Sequence, residues 1–185
     1  MLDAIDLLVL DVDGVLTDGR IVYDARGGEL KFFSAPDGQG LRYWLRAGHE
    51  AAVLSGRASP AARRRAREVG IRFVRQGAKD KLPVFRNLLK RLKRTPERTF
   101  YVGDDLVDVP ILSYVGFAVA TAGASEEVKR VAHYVTRAGG GAGAVREVIE
   151  MILKYQGRWA GVTERYDRQL SPGLPDRRRP WRASR

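Results

Sequence analysis

Residues 5–12 read Ile-Asp-Leu-Leu-Val-Leu-Asp-Val, and Leu7 to Leu10 form an apolar run with no polar break. A strand with two water-excluding faces belongs inside a sheet covered by helices on both sides. The run stops at Asp11-Val12-Asp13-Gly14, so carboxylates stand where a central strand gives way to a loop. That feature restricts the chain to an α/β architecture with a reactive edge.

The remaining pattern agrees. Residues 20–33 hold two short strand-like runs around Arg26-Gly27-Gly28, a hairpin signal. Residues 37–47 read as a helix closed by Gly48. Residues 51–54 read as a strand stopping at Ser55-Gly56, and Ser59-Pro60 starts a helix that Gly70 closes. A strand over 71–74, an amphipathic helix over 81–93, a strand over 99–102 ending in Gly103-Asp104-Asp105, a strand over 117–120 and a helix over 144–154 follow. Alternating strands and helices predict a three-layer, Rossmann-like fold with a mostly parallel central sheet, a small β-hairpin insertion and no cap domain. The domain is expected to span 1–157. Residues 158–185, with three prolines and the Arg177-Arg178-Arg179 run, read as a basic tail, disordered or loosely docked, without an apolar face.

Composition narrows the chemistry. There is no cysteine, which excludes thiolate catalysis and Cys-ligated zinc, and only two histidines are present. A bound metal must therefore use oxygen ligands, which points to Mg²⁺ or another hard cation. The formal charge is +11, of which the last 28 residues carry +5. The N-terminal segment is acidic before its apolar run, unlike a secretory signal, and no apolar stretch is long enough to span a membrane; a cytoplasmic location is expected.

Ligands of open α/β sheets gather beyond the carboxyl ends of the strands. Asp11 and Asp13, Ser55, and Asp104 with Asp105 all follow strands, and Lys81 opens a helix after another. Such a set suits phosphoryl transfer: a carboxylate attacks, a second exchanges a proton with the leaving oxygen, and a hydroxyl, an ammonium and a cation share the phosphate charge.

Asp11-Val12-Asp13-Gly14-Val15-Leu16-Thr17-Asp18-Gly19 resembles the first motif of the haloacid dehalogenase superfamily of phosphatases. Ser55-Gly56-Arg57 is similar to its second motif, Lys81 to its third, with Lys79 a weaker competitor, and Gly103-Asp104-Asp105-x-x-Asp108 to its fourth. The resemblance implies Asp11 as nucleophile and Asp13 as acid/base. It implies Mg²⁺ ligation by the Asp11 carboxylate, the Asp13 carbonyl and the Asp104 carboxylate, with Asp105 and Asp108 ordering the surroundings. Ser55 and the Gly56 amide would hold phosphate, and Lys81 would neutralise it.

Neither the gap from Asp13 to Ser55 nor that from Ser55 to Lys81 is long enough to fold a lid. The chain resembles the capless 3-deoxy-D-manno-octulosonate 8-phosphate phosphatase family, which serves lipopolysaccharide precursor synthesis. The likeness includes the hairpin, Pro36-Asp37-Gly38-x-Gly40, Gln76-Gly77, Tyr134 to Arg137, and Gly139-Gly140-x-x-Gly143. It implies a homotetramer built on the hairpins, with a mobile glycine-rich arm at 139–143 reaching a neighbour's site. Arg57 and Arg65 suit the carboxylate of an acidic sugar phosphate. Ala142 departs from the family, which often carries a larger polar or basic residue there. The rival readings are a phosphatase for a nine-carbon acidic sugar phosphate, where an acidic residue is expected near Arg57, a promiscuous sugar phosphatase, and a nucleic-acid-binding protein suggested by the charge.

Overall fold

The computed structural model describes residues 2–167. Six parallel strands form one sheet in the order β5-β4-β1-β6-β7-β8: β1 (Leu7–Leu10), β4 (Glu50–Leu54), β5 (Phe73–Arg75), β6 (Thr99–Gly103), β7 (Phe117–Ala120) and β8 (Tyr134–Val135). A separate antiparallel hairpin pairs β2 (Val22–Tyr23) with β3 (Glu29–Leu30). Strand β1 lies between β4 and β6, in register Leu7↔Glu50 and Leu7↔Thr99. All four of its residues are fully buried, as an uninterrupted apolar run requires.

Helices cover both faces. Helices α1 (Ala35–Arg46), α2 (Pro60–Val69) and α6 (Ala144–Tyr155) pack Leu41, Trp44, Ala66, Val148 and Ile152 on one face. Helices α3 (Lys81–Leu92), α4 (Val109–Leu112) and α5 (Glu126–Val131) pack Phe85, Leu89, Ile111 and Val128 on the other. The local start and stop chemistry is plain at α2. Ser59 Oγ accepts from the Ala62 amide, Pro60 occupies the first turn, and Gly70 closes the helix at φ 94°. The expected architecture is thus present, with one strand more: β8 has only two residues, too few for an alternating pattern to register.

Of the two expectations for the chain from 158 onward, disordered or loosely docked, the first part follows the second, and the expected lack of an apolar face is corrected there. A seventh helix, α7 (Trp159–Asp167), follows α6. Its Trp159 ring stands edge-on to Tyr43 at 5.7 Å and its Val162 is buried. Tyr166 also meets Tyr43, at 6.2 Å, so Trp159, Val162 and Tyr166 seat one face of the helix at helical spacing within an otherwise polar and glycine-containing run. Residues 168–185 lie outside the described residues. Deleting everything after Gly157 should lower stability by about 1–3 kcal/mol, the value of burying one or two apolar side chains, seen as a fall in Tm of a few degrees. An unchanged Tm would show that α7 adds nothing to the fold.

Candidate active site

Because β1 is flanked by β4 and β6, the carboxyl ends of three adjacent strands present Asp11, Ser55 and Asp104 side by side. They line a cleft of about 310 Å³ together with Asp13, Gly56, Arg57, Lys81 and Asp105. Arg65 is not among its walls.

The loop after β1 is tightly wound. The amides of Val15, Leu16 and Thr17 all donate to the Val12 carbonyl, at 3.3, 2.9 and 3.0 Å. Gly14 turns at φ 78°, and a Cβ there would fall 1.8 Å from Asp104 Oδ2. Glycine is needed at that position both for its backbone angle and for the approach of Asp104.

Asp11 is buried. Its Oδ1 accepts from the Val12 amide at 2.7 Å and its Oδ2 from Lys81 Nζ at 2.6 Å. Lys81, also buried, donates to Asp108 Oδ1 at 2.7 Å. Asp108 Oδ1 takes a second bond from the Tyr101 hydroxyl at 2.6 Å, while Oδ2 accepts from the Asp104 amide at 3.1 Å. Asp108 is therefore fully committed to positioning its neighbours. Asp105 Oδ1 accepts from the Leu106 amide at 2.7 Å and starts the short turn that brings Asp108 inward.

Asp104 differs: its Oδ1 is buried without a hydrogen-bond partner. Carboxylate oxygens of Asp11, Asp104 and Asp108 all lie within 4.8 Å of one another. Burial, then the Asp108 and Asp11 charges, push the Asp104 carboxyl up to about 7. Burial raises Asp11 to about 6 against the pull of Lys81. Burial alone would lower the Lys81 ammonium, but Asp108 and Asp11 outweigh it and hold it above its usual value. Three carboxylates facing one ammonium, with one oxygen unpartnered, form a donor set that fits a hard divalent cation.

The phosphate side of the cleft is built on β4. Ser55 is buried, its amide donating to the Arg75 carbonyl at 2.9 Å, its Oγ accepting from the Arg57 amide at 3.3 Å. The Arg57 guanidinium reaches Glu29 at 3.2 Å and Asp13 at 3.7 Å. Of the two competing lysines, Lys81 lines the cleft and Lys79 is exposed.

Two residues escaped the sequence reading. Lys31, with a buried side chain, forms an ion pair with Asp13 and lies 3.4 Å from Glu29. Both come from the hairpin, where positions two apart share one face, and that alternation in Gly28-Glu29-Leu30-Lys31 was the available signal. Arg65 takes another place than the expected substrate contact. Its guanidinium donates to the Ser34 carbonyl at 3.2 Å and fills the space above Gly38, where a Cβ would lie 2.0 Å away.

The segment expected to form an arm toward a neighbour makes contacts within its own chain. Residues 139–143 dock on their own chain, behind the first motif. The Gly141 amide donates to the Val15 carbonyl at 3.0 Å, and a Cβ on Gly140 would fall 1.9 Å from the Gly14 carbonyl oxygen. Asp37, from α1, accepts from the Gly143 and Arg146 amides at 3.1 and 2.8 Å and so holds the start of α6. Gly140 and Gly141 serve close approach here, whereas a Cβ on Gly139 would meet nothing within 4 Å.

Comparison with known proteins agrees with this geometry. Residues 71–149 match the haloacid dehalogenase-like hydrolase family model. The chain is 46% identical over 154 residues to the 3-deoxy-D-manno-octulosonate 8-phosphate phosphatase of Escherichia coli K12, covering 83% of this chain and 82% of that one. The chain belongs to the 3-deoxy-D-manno-octulosonate 8-phosphate phosphatase family. The relative from Yersinia pestis is 43% identical, covering 86% of this chain and 85% of its own. Among solved structures, the family member from Moraxella catarrhalis, in complex with magnesium, phosphate and the eight-carbon sugar acid, superposes with a TM-score of 0.87. It is 38% identical and covers 89% of this chain and 95% of that one. Only the hairpin and α1 separate the first motif from β4, which leaves no room for an inserted lid there.

Proposed function

We propose that the chain hydrolyses 3-deoxy-D-manno-octulosonate 8-phosphate to the free sugar acid and phosphate. The observation that carries this is the juxtaposition of Asp11, Ser55, Lys81 and Asp104 in one cleft, in a chain 46% identical to an enzyme named for that reaction. Asp11 attacks phosphorus, and the P–O bond to the sugar breaks. Asp13 gives its proton to the departing oxygen, leaving an aspartyl-phosphate. Asp13 then takes a proton from water, whose oxygen attacks phosphorus and restores the Asp11 carboxylate. Ser55 Oγ and the Gly56 amide hold the phosphoryl oxygens, and the Lys81 ammonium offsets their charge. Lys31 and Arg57 border Asp13 and keep it in place.

The Asp11 and Asp104 carboxylates, with the Asp13 carbonyl, would hold Mg²⁺, while Asp108 and Asp105 orient them. When bound, the cation supplies charge neutralisation at the phosphoryl oxygens. Asp108 is left out of direct ligation because its oxygens already serve Lys81, Tyr101 and the Asp104 amide.

Arg57 is half-exposed at the cleft mouth and suits the sugar carboxylate. The assembly reading is a homotetramer joined through the hairpin, which exposes Ile21, Tyr23, Leu30 and Phe32. Steady-state kinetics test the substrate assignment. The eight-carbon substrate should show a kcat/KM at least about tenfold above glucose 6-phosphate, the scale of one added charged contact. Equal efficiency on both would reject the assignment while leaving phosphatase chemistry intact.

A further inference from the structure

We infer that a second cleft, at the outer edge of the sheet, binds a small anion carrying a chain of two or more phosphoryl groups. The cleft has a volume of about 260 Å³ and lies where β5, the outermost strand, meets α2 and α3. Five arginines line it: Arg63 and Arg67 from one face of α2, Arg72 and Arg75 around β5, and Arg91 from α3. None of its lining residues is acidic.

The bland reading is a solvated basic surface, and it meets two difficulties. Like charges gathered from three elements repel, so such a surface ordinarily interleaves carboxylates. Here α3 contains no acidic residue at all. The one carboxylate of α2, Glu68, pairs with Arg64 and Arg65, which point elsewhere. Among the described residues, the side chains of Arg67, Arg72 and Arg75 make no hydrogen bond or ion pair. Arg63 has only a 3.4 Å contact with Gln76, and Arg91 lies over the Phe73 ring at 5.9 Å.

The second difficulty is composition. Every cation in the cleft is an arginine, although the adjoining helix α3 also carries Lys90. Guanidinium forks match phosphoryl oxygens in pairs, whereas an ammonium acts as a point charge. Five forks exceed what one phosphate monoester needs and suit a linear di- or triphosphate. Partly buried Phe73 and Val74 supply a narrow apolar floor beside Arg91, against which a nucleobase can lie if the chain belongs to a nucleotide. The cleft is distinct from the catalytic one, although the Arg75 carbonyl bonds the Ser55 amide at 2.9 Å and the two share that strand end.

Isothermal titration of the full-length, magnesium-loaded protein with inorganic tripolyphosphate tests the site, at constant free Mg²⁺. Arms with ATP, inorganic phosphate and a single-stranded oligonucleotide accompany it. Tripolyphosphate should bind at least about tenfold more tightly than phosphate. The double substitution Arg67→Gln with Arg72→Gln, on exposed side chains, should weaken it by at least about tenfold and leave kcat/KM for the sugar phosphate unchanged. Equal affinity for ATP and tripolyphosphate assigns the cleft to the phosphate chain alone, and tighter ATP binding adds the Phe73 floor. Three results overturn the inference. They are tripolyphosphate binding no tighter than phosphate, a double variant that binds like the parent, and an oligonucleotide that displaces tripolyphosphate from the same arginines at lower concentration.

Discussion

Replacing Asp11 by Asn is expected to lower kcat by at least about 10³-fold, the scale on which other covalent hydrolases respond to loss of their nucleophile. The amide is nearly isosteric, so the packing of β1 against β4 and β6 should survive and Tm should change little. Two of the Asp11 contacts bear on this. The Val12 amide at 2.7 Å still finds an oxygen, whereas Lys81 at 2.6 Å loses one of its two carboxylates and keeps Asp108. KM should move far less than kcat, because Ser55 and Lys81 remain to hold phosphate. A pure preparation turning over at near-parent rate would remove Asp11 from the reaction. In an acid-quenched reaction of the parent with labelled substrate, phosphate should be trapped on Asp11.

Chelation should reduce phosphate release to background, and added Mg²⁺ should restore it. The unpartnered Asp104 Oδ1, set among the Asp11 and Asp108 charges, is the reason. Asp104→Asn should then weaken Mg²⁺ binding by at least about 100-fold, more than the 10- to 100-fold typical for loss of a ligand's outer hydrogen-bond partner. A binding titration reads this directly, apart from turnover. The expected companion is Asp105→Asn, with a much smaller effect, since Asp105 spends its carboxylate on the Leu106 amide. Full turnover in excess chelator, or equal Mg²⁺ affinity in Asp104→Asn, would refute the assignment of this cluster.

Much of the site was legible because its residues announce themselves by position. Asp11, Ser55 and Asp104 each follow an apolar strand, and strands of this fold end on one edge. Lys81 was legible for the same reason, as the first residue of its helix. The contacts that escaped are those that depend on direction rather than order. The run from Arg63 to Arg67 does not disclose which guanidinium turns toward Gly38 and which toward β5. Lys31 meets Asp13, and Glu29 meets Lys31 and Arg57, only because the hairpin folds back toward the cleft, and two-residue strands carry too little pattern to aim it. Gly140 is a comparable case. A glycine permits both freedom and close approach, and only the Gly14 carbonyl at its back decides between them. Helix α7 was missed because only Trp159, Val162 and Tyr166 hold it, three positions in a polar run that leads directly into a proline- and arginine-rich stretch.

The clamp of Asp37 on the start of α6 joins residues 106 and 109 positions apart. During synthesis the first motif therefore leaves the ribosome long before the backbone that will support it. A nascent chain stopped short of Gly140 has every strand of the sheet and the Thr121 hydroxyl that donates to the Gly14 carbonyl, but lacks the Gly140 and Gly141 backbone that packs against Gly14 to Asp18. Contacts of such separation are reached late, since the intervening chain must close before they form. The phosphatase centre is thus coupled to synthesis of the chain as far as Gly141 and α6: fragments that contain all four motifs still lack part of what holds the first of them in place.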